Sequence, residues 1–170
     1  GLLMAKTVNK TDPYKRVAFR GVTVDERTKS ALLWAEGKYR KVAPKKRAPW
    51  RLGQGSYSNG SLSAGTHSGG GTVDVMFAGL NAKQRRATVK WLRKAGFAAW
   101  AREGAVWGTN NDHCHAVLRG HRNLSPEAAA QVADYDDGRN GLATSLPDHT
   151  WRPKRKRRWS HRQNAPILGK

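Results

Sequence analysis

Two short stretches of the chain hold residue types that bind a metal and move protons. The first is Gly65-Thr66-His67-Ser68-Gly69-Gly70-Gly71-Thr72-Val73-Asp74-Val75, and the second is Asp112-His113-Cys114-His115. A catalytic zinc keeps three protein ligands and leaves one position for water, and two histidines with one carboxylate make a suitable set. The metal lowers the pKa of its water to about 7. A second carboxylate nearby then serves as general base and later as acid. These roles fall on His67, Asp74 and His115 as ligands and on Asp112 as base.

Those residues need a scaffold that makes them converge. Residues 72–77 read as a strand, with Val73, Val75 and Phe77 on one face and Thr72, Asp74 and Met76 on the other. Residues 113–118 read as a second strand, with His113, His115 and Val117 sharing a face. His67 and Asp74 lie an odd number of residues apart, so one straight strand would send them to opposite faces. Gly69-Gly70-Gly71 resolves this, because residues free to take positive φ can fold the chain back. Trp50 to Tyr57 reads as a strand leading into a Gly/Ser/Asn loop, Ser58 to Ser63, placed to face a substrate. Gln54, Tyr57 and Ser63 are its candidate substrate contacts.

Around this lie three expected helices. Asp25 is an N-cap for residues 25–36, with Gly37 as the stop. Asn81 and Gln84 make a capping-box pattern for a helix over 82–95, ended by Gly96. Ser125-Pro126-Glu127 starts a third helix, running to about Tyr135. Short strands are expected at residues 17–22 and 97–100. From about Pro147 the composition shifts to a basic run, Lys154 to Arg158, flanked by Trp151 and Trp159, where little regular structure is expected.

The length of 170 residues suits one domain with a real core. The net charge of +20 is carried by the ends. Residues 1–51 hold 14 Lys/Arg against 4 Asp/Glu, residues 52–150 hold 10 against 8, and residues 151–170 hold 8 against none. The organisation read from this is a basic extension over 1–20, a domain over 21–146 and a basic tail over 147–170. Such ends favour a polyanion: an anionic wall polymer, nucleic acid or acidic neighbours in an assembly. The run Pro44-Lys45-Lys46-Arg47 has the same character. A single cysteine, Cys114, rules out a disulfide framework and a Cys-rich zinc module. No apolar run reaches the length of a membrane span. Gly1 to Met4 is too short for the apolar core of a secretory signal peptide, so none is expected there.

His67-x-x-Gly70-x-Thr72-x-Asp74 closely resembles the His-x-x-Gly-x-Ala-x-Asp signature of the D-alanyl-D-alanine carboxypeptidase and L-alanyl-D-glutamate endopeptidase family. That family of zinc peptidases includes the VanX/VanY enzymes and several phage endolysins. The resemblance covers about residues 20–145, and includes the Gln54 to Tyr57 strand, the Gly/Ser loop and the final His-x-His strand. It implies zinc ligation by His67, Asp74 and His115, with Asp112 on the family's base and His113 beside the substrate. The family's arginine in the strand before the loop has no counterpart in Tyr57-Ser58-Asn59, leaving Gln54 or Arg51 for its role. The implied fold is α+β: a small antiparallel sheet carrying the metal site, helices packed on one side, and basic extensions at both ends.

The resemblance thus points to a zinc-dependent peptidase cleaving peptidoglycan stem peptides, as a phage lysin or virion-associated cell-wall hydrolase. Such a protein would reside in the virion, or in the host cytoplasm before release to the wall. The alternative is a phage structural or assembly protein of the same fold whose basic arms bind DNA, virion proteins or other acidic partners. A His-Asn-His-type nuclease would leave His67 to Asp74 unexplained.

Overall fold

Alternating apolar and polar residues, broken by Gly-rich turns, build a small antiparallel sheet with helices against it. The structure is a computed structural model that describes residues 8–42, 49–60 and 64–169. Pro44 to Arg47, Ser61 to Ser63 and Gly1 to Met4 lie outside the described residues.

The elements run β1 (Arg16–Phe19), β2 (Val22–Asp25), α1 (Glu26–Val42), β3 (Leu52–Gln54), β4 (Thr72–Met76), α2 (Ala82–Ala95), β5 (Phe97–Arg102), β6 (His113–Leu118), α3 (Pro126–Asp136), β7 (Arg157–Ser160) and β8 (Ala165–Leu168). β1 and β2 form a hairpin turned by Arg20 and Gly21, both at positive φ (51° and 84°), as a tight two-residue turn requires. The main sheet is four-stranded and antiparallel, in the order β3-β4-β6-β5. β7 and β8 form a second hairpin.

The period of two divides the main sheet sharply. Val73 and Val75 of β4, Phe97 and Ala99 of β5, and Cys114, Ala116 and Leu118 of β6 join one apolar core with Leu32, Ala35 and Tyr39 of α1 and Leu92 and Ala95 of α2. On the other face the register aligns Gln54, Asp74, His115 and Trp100 in one row across the four strands. The next row holds Met76, His113 and Arg102. α3 lies over one end of this second face, where Ala128 and Tyr135 meet Ala98, Trp100 and Val117. The class is therefore α+β with small antiparallel sheets; α1 and α2 share one side, and α3 takes the other.

α2 has the expected bounds. Asn81 and Gln84 satisfy each other's backbone N–H, and Gly96 ends the helix at φ 111°. α1 is longer than its sequence suggests. Asp25 caps it by accepting from the Thr28 N–H at 2.9 Å, but Gly37 does not end it. Tyr39 is buried one turn beyond Ala35 and packs on Trp50 at 5.2 Å, and that burial carries the helix through the glycine.

The largest correction concerns the expectation of little regular structure beyond about residue 147: Arg157–Ser160 and Ala165–Leu168 form a hairpin, Trp159 is fully buried in the main core beside Trp34, and β7 packs on α2. The N-terminal segment joins the same structure. Asn9 N–H donates to Arg162 O at 2.9 Å, and Arg27 Nη2 donates to Trp159 O at 2.8 Å. One deeply buried indole outweighs the run of charge before it, because burying a side chain of that size is worth about 1.5–3 kcal/mol or more.

Candidate metal centre

Three elements bring the predicted ligands together. Asp74 comes from β4 and His115 from the paired position on β6. His67 comes from the Gly-rich loop, whose backbone hugs the strand ends: Tyr57 N–H donates to Gly69 O, and Gly70 N–H donates to Asn123 O. The glycines work differently from the expectation. Of Gly69, Gly70 and Gly71, only Gly71 has positive φ (78°). Gly69 and Gly70 are needed for close approach. A Cβ on Gly69 would strike the Asn123 carbonyl, and one on Gly70 would strike His121 and the Tyr57 hydroxyl.

His67, Asp74 and His115 offer ligand atoms that all lie within 4.8 Å of one another, a group that could hold a metal ion. His67 Nε2 lies 3.2 Å from Asp74 Oδ1, His115 Nδ1 lies 3.0 Å from the same oxygen, and His113 Nε2 lies 3.9 Å from Asp74 Oδ2. All three rings are buried.

The other nitrogen of each ring decides what these contacts mean. His67 Nδ1 meets the Gly55 carbonyl at 2.8 Å, and His113 Nδ1 meets the Asn111 carbonyl at 2.7 Å. His115 Nε2 meets Gln131 Oε1 at 2.7 Å, and that amide is oriented by its own Nε2 donating to Gly141 O at 3.2 Å. Carbonyl oxygens only accept, so each outer nitrogen must carry the proton. In a neutral ring the inner nitrogen is then a lone pair, and three lone pairs face one carboxylate. This arrangement is repulsive without a cation or added protons at its centre. It is also how metal-binding histidines are held, with the outer N–H fixed by an acceptor. Burial alone would raise the Asp74 pKa; with added protons on His115 and His67, their hydrogen bonds and charges outweigh burial and hold the carboxyl far below the usual range.

The centre opens into a cavity of about 810 Å³. Gln54, Arg102, Trp107, His113 and Gln131 line it. Gln54 and His113 are therefore where the sequence places them. Asp112 is not. It precedes β6 on the opposite alternation, accepts from the Gly104 N–H at 3.0 Å and from Arg85 Nη1 at 2.8 Å, and does not line the cavity. Those contacts, the Gly104 N–H first and Arg85 next, lower its pKa. Tyr57 is also elsewhere. Its hydroxyl donates to Asp25 at 2.7 Å beneath the Gly-rich loop, and burial pushes its pKa up to about 12. Ser63 lies outside the described residues. Cys114 points into the core, where burial pushes its thiol up to about 12.

Two cavity residues escape a reading of the sequence. Gln131 is a neutral amide on a helix, with nothing in its neighbourhood to mark it. Arg102 was legible only through strand alternation, two residues beyond Trp100 on the site face. Its Nη1 donates to Asn140 O at 2.8 Å, its Nη2 is buried without a partner, and burial lowers its pKa to about 10. Arg102, rather than Arg51, is the guanidinium in the cavity wall. Comparison of the chain with family models, curated proteins and solved structures returned no match, so the functional reading rests on this geometry and on the sequence motifs.

Proposed function

We propose that the protein is a zinc-dependent peptidase cleaving peptidoglycan stem peptides, as a phage lysin or virion-associated cell-wall hydrolase. The observation that carries the metal is the convergence of imidazole lone pairs on Asp74 with every outer N–H fixed by an acceptor. The choice of zinc follows from the donor set of two imidazoles and one carboxylate. The choice of substrate follows from the resemblance of His67-x-x-Gly70-x-Thr72-x-Asp74 to the peptidase signature.

His67, Asp74 and His115 would hold the ion, and Gln131 orients His115. When bound, the zinc would supply Lewis acidity toward a peptide carbonyl. His113 presents Nε2 to the cavity and can hold or pass a proton at that atom, the part first given to Asp112. Gln54 lines one wall for substrate hydrogen bonds, and Arg102 sets a positive charge in the wall beside His113.

The test is elemental analysis of wild type and of His67→Ala, Asp74→Ala and His115→Ala, followed by digestion of purified peptidoglycan. About one zinc per folded wild-type chain, lost in each variant together with release of stem-peptide fragments, is the expected result. A folded wild type that takes up no zinc overturns the reading. The second reading, an assembly protein of this fold that binds acidic partners, is favoured by the removal of Asp112 from the cavity and by the ordered basic hairpin. It expects zinc uptake without peptide release.

A further inference from the structure

The run Lys154 to Arg158 plays no part in the metal centre, and the structure gives it a fixed place. Pro153 to Arg157, with Arg119 from the end of β6 and Arg152, wall a cavity of about 220 Å³. Seven basic side chains and one carboxylate, Asp136, line it. Four residues separate Arg119 from His115, about 13 Å along a strand, so this is a different place from the metal cavity.

Part of that charge is already paired. Arg119 makes a two-pronged pair with Asp136 at 2.9 and 3.0 Å, and its Nη1 donates to Arg157 O at 2.5 Å. Arg152 donates to Tyr135 O, Arg139 O and Asp148. These bonds hold the walls rigid. They leave Lys154, Arg155 and Lys156 exposed at the mouth, with Lys156 reaching Asp136 only at 3.8 Å. In a disordered tail such like charges would spread apart. Here Trp159 anchors the hairpin in the core and keeps them together, at an electrostatic cost that a bound anion would offset.

We propose that this cavity binds a phosphate group of a base-free phosphodiester polymer. Its size admits one tetrahedral oxyanion, and ammonium and guanidinium donors at the mouth suit phosphate oxygens. Single-stranded nucleic acid is disfavoured because the cavity offers no stacking surface, and a duplex, bound through its phosphates alone, is left to the experiment. Its only ring, Tyr135, is 7% exposed and lies under the guanidinium of Arg152 at 4.2 Å. The exposed Trp151 lines the neighbouring groove instead, with Lys90 and Lys94 at 5.2 and 5.6 Å from its ring.

The experiment measures binding of fluorescent poly(glycerol phosphate) to the full chain by anisotropy, over a series of salt concentrations. It compares wild type with a Lys154→Gln/Arg155→Gln/Lys156→Gln variant and with a control of equal charge, Arg40→Gln/Lys83→Gln/Arg86→Gln. All six side chains are exposed, so both variants should fold, and circular dichroism checks this. The expected result is salt-sensitive binding that inorganic phosphate competes away. It should weaken about tenfold or more in the hairpin variant and clearly less in the control. No binding, or equal loss in the two variants, would overturn the site. Tighter binding of a single-stranded or duplex oligonucleotide of equal charge would overturn the choice of partner. None of these readouts depends on zinc, so they stand apart from the peptidase reading.

Discussion

Among the described residues, two histidine–aspartate clusters lie on either side of the Gly-rich loop, and they are opposites in hydrogen-bond logic. In the first, three imidazoles turn their acceptor nitrogens toward Asp74. In the second, His121 Nδ1 accepts from the Asn123 N–H at 3.0 Å, so Nε2 carries the proton and donates to Asp25 at 2.6 Å. Asp25 also accepts from Thr28 N–H, Thr28 Oγ1 and Tyr57 Oη. The side chains of Asp25 and His121 are fully buried, and they do not line the open cavity. The second cluster is complete with neutral histidine and needs nothing added. The first, with neutral rings, has three lone pairs facing a carboxylate and is completed by a cation or by added protons. Histidine beside aspartate therefore says little by itself; what the other ring nitrogen bonds to separates a structural pair from a binding site.

This contrast predicts opposite responses to loss of the carboxylate in metal-free protein. Asp25→Ala removes the α1 cap and leaves His121 and Tyr57 donors buried without their acceptor. Two buried donors left unsatisfied, at about 1–3 kcal/mol each, and a lost cap, at about 0.5–2 kcal/mol, should show in urea unfolding. Asp74→Asn relieves lone-pair repulsion, and should cost less than about 1 kcal/mol or raise stability. Equal losses in the two variants would break the distinction.

Adding zinc should reverse the ranking. Wild type should gain about 2.7 kcal/mol at a free zinc concentration a hundred times the dissociation constant. Asp74→Asn, His67→Ala and His115→Ala should gain little, whereas His121→Asn should keep its gain if it folds. Thermal unfolding with and without chelator reads this directly.

How much of the contrast was legible in advance is instructive. The convergence of His67, Asp74 and His115 was, because the His67-x6-Asp74 spacing and the His-x-His alternation constrain geometry locally. The strand faces and α2 were too, since capping residues and a period of two act within a few residues. The Asp25–His121 cluster was not, because its partners lie 96 positions apart and Asp25 looked only like a helix cap. Trp159 was hidden for a related reason. Beside five basic residues its composition argued for a tail, and only the depth of the pocket made by Trp34 and α2 decided otherwise.

Gly70 joins the two clusters, so its substitution tests them together. A Cβ there would press on His121, Tyr57 and Asp25 from the loop that carries His67. Overpacking of this kind typically costs about 1–3 kcal/mol. Gly70→Ala should lower both stability and zinc affinity, whereas Gly79→Ala, with open space around it but φ 80°, should lower stability alone.

Acid separates the clusters more gently. Burial would raise the Asp25 pKa, but the hydrogen bond from His121, with those from Thr28 and Tyr57, holds it below the usual carboxylate value. A depressed carboxylate stabilises the fold above its unfolded pKa, and that contribution is lost as pH falls from about 4 through the lower folded value. Metal-free wild type should therefore lose stability below about pH 4, and Asp25→Asn should show a flatter acid limb in urea titrations.

The smallest effect should come from the residue to which the sequence gives the largest role. Asp112 lies outside the cavity, engaged by Arg85 and the Gly104 N–H. If the proton at the cavity is carried by His113, Asp112→Asn should keep its zinc and its rate of stem-peptide release. His113→Gln should keep the zinc and lose the rate, since Nε2 of His113 faces the cavity and Asp74. A collapse of activity in Asp112→Asn with zinc retained would mean that the 112–113 turn rearranges when substrate binds, exchanging the Arg85 contact for the cavity. Substitution of Arg85 by Gln would then raise the rate by releasing Asp112, an outcome that the arrangement with His113 as proton carrier does not allow.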